Sequence, residues 1–201
     1  TQGVSANITE SDPVSEAMYV YKAIPTVANV ALSNTKLTTG TLALSKISVS
    51  TGVADTLGWK KMIFSVNKTG GVVGDPAISN VHLYDESNNE IVGIATIVTL
   101  GELNTAGTIT FVATNEQQIS GSKTYYLKAD IAGTLATGDN INTSIAQPSA
   151  YVAPAAYATV AATATFVWTD QALASHSETT LDWNNGYLVK NLPTDSQTLT
   201  N

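Results

Sequence analysis

Between Ser175 and Tyr187 the chain reads SHSETTLDWNNGY, which places a histidine between two serines with Glu178 and Asp182 close behind. Serine, histidine and a carboxylate are the ingredients of acyl transfer: the imidazole takes the hydroxyl proton and the carboxylate orients the ring. That chemistry depends on geometry, and closeness in sequence does not supply it. Ser175 and His176 are adjacent, so an extended backbone points their side chains to opposite faces. The G-x-S-x-G pattern that exposes a nucleophilic serine on a sharp turn does not occur in the sequence. A structural role has a mechanism of its own. Trp168, Trp183 and Tyr187 are large amphipathic anchors, and Asn184–Asn185–Gly186 is a turn that tolerates positive φ. We therefore expect no catalytic residues and no enzyme.

Asp85, Glu86, Asn88, Asn89 and Glu90 form the densest oxygen cluster. Calcium takes about six to eight oxygen ligands, and surface β-proteins supply them from such loops. The spacing does not match an EF-hand, however, and a solvated hairpin turn uses the same residues. His82 and His176 are the only histidines and there is no cysteine, too few soft ligands for a zinc site. The expectation is no cofactor and no metal. Asn7, Asn67 and Asn142 each begin an Asn-x-Ser/Thr sequon, in a chain rich in both residue types.

The elements that position these residues follow from composition and periodicity. The 201 residues are 43% hydrophobic, ample for a packed core, but only 12% charged. That charged share is about half the usual one, so Thr, Ser, Asn and Gly must cover the surface. The nine basic residues are all lysine, and the net charge is −7. Without arginine's bidentate fork, and with an acidic balance, a nucleic-acid partner is excluded. No stretch reaches the roughly 18 apolar residues of a membrane span. The chain begins at Thr1 rather than Met, as a fragment of a longer chain or a protein relieved of its signal peptide would; the polar, Thr-rich, lysine-only composition favours the second, an exported protein.

Val, Ile and Thr recur in short runs broken by Gly, Asn, Asp and Pro, the signature of strands. MYVYKAI (18–24) is an extended run closed by Pro25, with 27–32 as its continuation. Leu42 and Leu44 share one parity, Ile47 and Val49 the other, which demands a β-bulge near Ser45–Lys46. Met62, Phe64 and Val66 alternate cleanly, as do Val81 with Leu83, and Ile109, Phe111 and Ala113. DESNNE reads as a hairpin turn, with Ile91 beginning the return strand. Tyr125, Leu127, Ala129 and Ile131 face inward; Ile141, Thr143 and Ile145 precede Pro148. Short strands at roughly 10-residue spacing, with no crossover helix, predict an all-β, immunoglobulin-like antiparallel β-sandwich over 17–148. Residues 1–16 form an N-terminal strand extension. Residues 149–201 comprise an Ala/Pro linker and an aromatic C-terminal hairpin, packed on the sandwich or on a neighbouring subunit.

YKAIPTVANVAL, GTLALSKISVS, ISNVHLYDESNNEIVG and GSKTYYLKADIAG resemble immunoglobulin-like modules repeated in large exported proteins of candidate-phylum bacteria. The ending, FVWTD, then HS, then DWNNGYLVKNLPTDSQTLT, is similar to a recurrent ending of such chains. The family consists of cell-surface and surface-layer-like proteins. The resemblance implies a β-sandwich and an extracellular location, and it implies no activity.

In the extension, Val4, Ala6 and Ile8 alternate with Ser5, Asn7 and Thr9 and give a strand with one apolar face. Donated to a neighbour's sheet edge, such a strand joins subunits through main-chain hydrogen bonds and side-chain pockets. Pairing within its own domain, or no order at all, are the other readings of the same residues. The expected function is a structural subunit of an extracellular assembly, a pilus-like filament or surface layer. Copies of the chain would be its partners, and Val4, Ala6, Ile8, Trp168, Trp183 and Tyr187 the interface residues. The alternative is a monomeric cell-surface adhesin or glycan-binding module, with Trp59, Trp168 and Trp183 as sugar-stacking platforms.

Overall fold

The computed structural model describes residues 18–52, 55–70, 76–100, 106–162 and 165–201. The extension carrying Val4, Ala6 and Ile8 lies outside the described residues. The strands are β1 (Thr26–Asn29), β2 (Gly40–Ser50), β3 (Thr56–Thr69), β4 (Ala77–Asp85), β5 (Gly93–Val98) and β6 (Ala106–Ser120). They continue with β7 (Ser122–Ala132), β8 (Asn140–Ser144), β9 (Phe166–Thr169), β10 (Trp183–Asn184) and β11 (Gln197–Thr200). The one described α-helix, α1, spans Tyr157–Ala161. No helix among the described residues is long and apolar enough to cross a membrane.

Two antiparallel sheets result. The first has the order β1-β2-β7-β4; the second runs β10-β9-β3-β6-β5, with β8 also on β3 and β11 on β8. Long β3 makes this possible by pairing with β9 along Gly58–Met62 and with β8 along Ser65–Thr69. The inner faces carry the alternating residues. Met62, Phe64 and Val66 from β3, Ile109, Phe111 and Ala113 from β6, and Tyr125, Leu127, Ala129 and Ile131 from β7 are all buried. Each large aliphatic or aromatic group so buried contributes roughly 1.5–3 kcal/mol. The parity switch in β2 is resolved by a register shift between Ala43 and Ser45, so that Leu44, Ile47 and Val49 all reach the core. The protein is an all-β antiparallel sandwich.

Three features differ from the sequence-based expectation. The run 18–24 is not a strand: the first ladder begins at Thr26, after Pro25, and of these seven residues only Ala23 is buried. The turn at 86–89 forms, but its return strand leaves the partner almost at once. After the single Tyr84–Glu90 bridge and an Ile91 N–H to Leu83 C=O bond of 2.8 Å, the chain crosses to the other sheet and pairs with β6. Gly93 marks the crossing, because a Cβ there would sit 2.6 Å from the Phe111 ring. Finally, the C-terminal segment does more than pack on the sandwich as the β9–β10 pair; it supplies strands to the ladders themselves. β9 and β10 extend the second sheet, β11 closes on β8, and Phe166, Trp168, Val189, Leu192 and Leu199 belong to the main core. A boundary at residue 148 therefore divides one folding unit, since strands on both sides share the same ladders.

Candidate functional site

His176 lies in the loop between β9 and β10, and its surroundings come from three segments. Its Nδ1 is 2.9 Å from Asp182 Oδ2, and its Nε2 is 2.8 Å from Glu116 Oε2. Glu116 reaches it because β6 bulges: Trp59 pairs with Gln117 but Lys61 with Val112, so residues 113–116 face only Lys60. The displaced Glu116 side chain runs over Gly58, where a Cβ would fall 1.6 Å from Oε1. Gln171 Nε2 donates to that same oxygen at 2.7 Å, and the Thr180 hydroxyl lies 2.7 Å from Asp182 Oδ1. The imidazole stacks against Trp183 with ring centroids 5.2 Å apart, and the Trp183 indole N–H donates to Ser177 C=O at 2.8 Å.

The electrostatics follow from this geometry. Burial by itself disfavours the imidazolium, but hydrogen bonds and charge from Glu116 and Asp182 outweigh it and raise the His176 pKa above its ordinary value. Beside this cluster the buried Lys60 ammonium is ion-paired with Glu178 and lies 5.2 Å from the Tyr157 ring centroid. Glu178 is thus Lys60's partner, not His176's.

What this arrangement does chemically is hold a charge. A general base needs a ring nitrogen facing a nucleophile, whereas the nearest partners of both His176 nitrogens are carboxylates. The Thr180 hydroxyl, 3.4 Å from Nδ1, lies closer to Ser177 C=O and to Asp182. Ser177 Oγ bonds instead to Thr179 Oγ1, 3.0 Å away. The cluster therefore pins the loop 171–183 across β3 and β6. Gly58→Ala should expel the Glu116 carboxylate and cost about 1–3 kcal/mol. In a Glu116→Ala background, where the space is open, the same substitution should cost only a few tenths. Urea unfolding midpoints of the four proteins check this.

At 85–90, Asp85 is occupied as a turn former. Its carboxylate accepts from the Ser87 and Asn89 amides at 2.9 and 2.8 Å and from Asn89 Nδ2 at 3.1 Å. Those bonds, Asn89's first, hold its pKa below the usual carboxylate value. Among the described residues no group of three or more His, Cys, Asp or Glu is placed to hold a metal ion.

The aromatic candidates separate. Trp59, Trp168 and Trp183 are fully buried within the subunit, so none offers a sugar platform and neither Trp168 nor Trp183 offers interface surface. Tyr187 does remain exposed. It packs edge-on to Tyr151 at 6.3 Å, and Tyr151 lies 6.3 Å from Tyr19, forming a surface row of three tyrosines. Tyr21 anchors this row, with its hydroxyl 3.0 Å from that of Tyr151 and its ring 5.5 Å from Trp168. Burial, then the Tyr151 hydrogen bond, pushes the Tyr21 phenol pKa well up. Met18 and Val20 beside it are 88% and 86% exposed.

Sheet edges form the second candidate surface, since an open edge is a template for another strand. β1 is covered by Lys190, through Val27 N–H to Lys190 C=O at 3.1 Å and Lys190 N–H to Pro25 C=O at 3.0 Å. β10 is capped by Ala155 through two bonds with Trp183, and β11 by Thr35–Leu37 through two bonds with Thr200. β4 carries a bulge between Ser79 and His82, with His82 bound to Glu90 at 2.6 Å. β5 has none of these protections among the described residues. It pairs with β6 alone, and Val92, Ile94, Ile97 and Val98 are exposed along it. Sequence reasoning placed this segment as the return strand of a hairpin on β4, which would have covered one side of it. Compared with protein-family models and with curated proteins, the chain matches neither.

Proposed function

We propose that the chain is a non-enzymatic structural subunit of an extracellular assembly, a pilus-like filament or surface layer, joined by β-strand exchange between copies. The observation that carries this reading is β5: an apolar edge that nothing among the described residues covers, in a sandwich that covers or distorts its other described edges. Soluble monomers block such edges because they recruit strands from other chains, so an edge left apolar suits a protein that uses it. The alternating Val4, Ala6 and Ile8 supply a matching strand in the same sequence. His176 and its carboxylates serve this role by stiffening the loop beside the exposed tyrosines. Substituting both Val4→Asp and Ile8→Asp is expected to abolish polymers seen by electron microscopy and to leave a sedimenting monomer. Polymers unchanged by that double substitution would overturn the reading.

A second reading, a monomeric cell-surface adhesin or glycan-binding module, draws on the Tyr19–Tyr151–Tyr187 row, because exposed aromatic rings stack on sugars. It expects a monomer at high concentration and glycan binding that falls on Tyr151→Ala.

A further inference from the structure

We propose that β5, with the groove between it and β4, receives residues 4–8 of a second copy of this chain. Val4, Ala6 and Ile8 then face Ala95, Ile97 and Phe111. This rests on the strand-exchange reading and adds to it an acceptor and a polarity.

The core is uncovered where the acceptor must be. Ile97 lies directly opposite Ile109 in the β5–β6 ladder, so the two side chains share a face. Ile109 is fully buried, yet Ile97 is 36% exposed. The difference arises because the facing sheet ends at β4, leaving a groove of about 370 Å³ lined by Val81, His82, Ala95, Ile97 and Phe111. On the outer face Ile94 is 71% exposed. β5 itself is six residues long, roughly 20 Å, and a five-residue donor spans roughly 17 Å.

The occupant is argued from its composition and from where the described chain starts. Residues 1–9 contain no ionisable side chain, nor does β5, and His82, which lines the groove, already has Glu90 at 2.6 Å as its partner. From Met18 the chain is tied to the β9 side of the sheet, through the Tyr21 ring on Trp168 and a Lys22 N–H bond of 2.8 Å to Asp170. β9 and β5 are separated by β3 and β6, which places donor and acceptor about 14 Å apart on opposite flanks of one sheet. A contact between opposite flanks is heterologous and repeats as an open chain of subunits when its rotation does not close. Ten residues from Ile8 to Met18 reach at most about 33 Å, so self-insertion is also within reach and must be separated by experiment.

Because the sequence has no cysteine, single-cysteine chains report pairing without background. Full-length Asn7→Cys is mixed with full-length Thr96→Cys, both on the outward face, under mild oxidation. The control partner is Ser33→Cys, an exposed site on a distant loop. The expected result is disulfide-linked heterodimer at least about tenfold above the control, as expected when pairing raises effective concentration. Adding Ile97→Asp to the Thr96→Cys chain should return it to the control level, with an unchanged circular dichroism spectrum showing that the chain still folds. Equal linkage to Ser33→Cys would overturn the acceptor assignment. So would linkage confined to a single chain carrying both Asn7→Cys and Thr96→Cys, which identifies self-insertion. If polymers vanish on Val4→Asp with Ile8→Asp but no linkage to Thr96→Cys forms, strand exchange stands and β5 is not its acceptor.

Discussion

Trp168→Ala should destabilise the whole sandwich by about 3–5 kcal/mol, the cost of deleting a fully enclosed aromatic side chain. Trp168 stands opposite Trp59 in the β3–β9 ladder, carries the Tyr21 ring on one side, and is fully buried. Its indole N–H donates to Asn185 C=O at 2.9 Å, so truncation also strands a buried carbonyl. Against a total stability of roughly 5–15 kcal/mol for a domain, that loss is at least about a fifth and up to the whole. The measurement is chemical unfolding followed by circular dichroism, with Trp168→Phe retaining most of the packing and recovering part of the loss. The result also bears on domain organisation. If residues 149–201 were an appendage, the main transition would stay where it is and only a minor one would move. One shared core requires a single transition displaced as a unit.

His176→Ala is the second large effect, expected at about 2–4 kcal/mol because it leaves the Glu116 and Asp182 carboxylates together without a cation between them. Its pH dependence has a definite sign. The folded pKa of His176 is raised, so the fold binds the proton more tightly than the unfolded chain does. The stabilisation is therefore fully present below the unfolded value of about 6.5. It is lost as the pH climbs through the folded pKa. Glu116 and Asp182 are the groups facing the ring, from β6 and from the loop before β10, with Trp183 stacked on it. Unfolding midpoints measured from pH 6 upward should fall for the native chain and stay flat in that window for His176→Gln. A native chain with no slope there would mean that folding leaves the His176 pKa unchanged, and a rising midpoint would mean that the fold prefers the neutral ring.

The His176 cluster holds the loop that lies beside the start of the described chain. That loop carries Leu173 and Leu181, both exposed, beside Met18 and Val20 at the point where the described chain starts. A rigid loop there holds in place the surface from which the described chain starts. Binding costs less when the contacting surface is already ordered, and an imidazolium held between two carboxylates orders it without a disulfide.

Much of this architecture is written in local pattern. Alternation in SKTYYLKADIA identifies the inward face of β7, and the parity change across Leu44 and Ile47 identifies the β2 bulge, because side-chain direction along a strand has a period of two whatever the partner. The absence of arginine and cysteine likewise narrows the chemistry before any fold is known. What local pattern does not contain is which distant segment completes a ladder. The TNEQQ run in β6 shows where alternation breaks, but not that the break delivers Glu116 to a histidine 60 residues later. Nor does GIATIV show that it crosses to the other sheet and ends up at an edge, or FVWTD that its tryptophan is sealed inside. Those outcomes depend on long-range pairing and on which faces remain to be covered once every strand is placed. Composition and periodicity by themselves determined an antiparallel β-sandwich, with the alternating Val4, Ala6 and Ile8 ahead of it in sequence. Only the tertiary structure decided which edge lacks cover among the described residues, because an edge exists only after the other strands have chosen their neighbours.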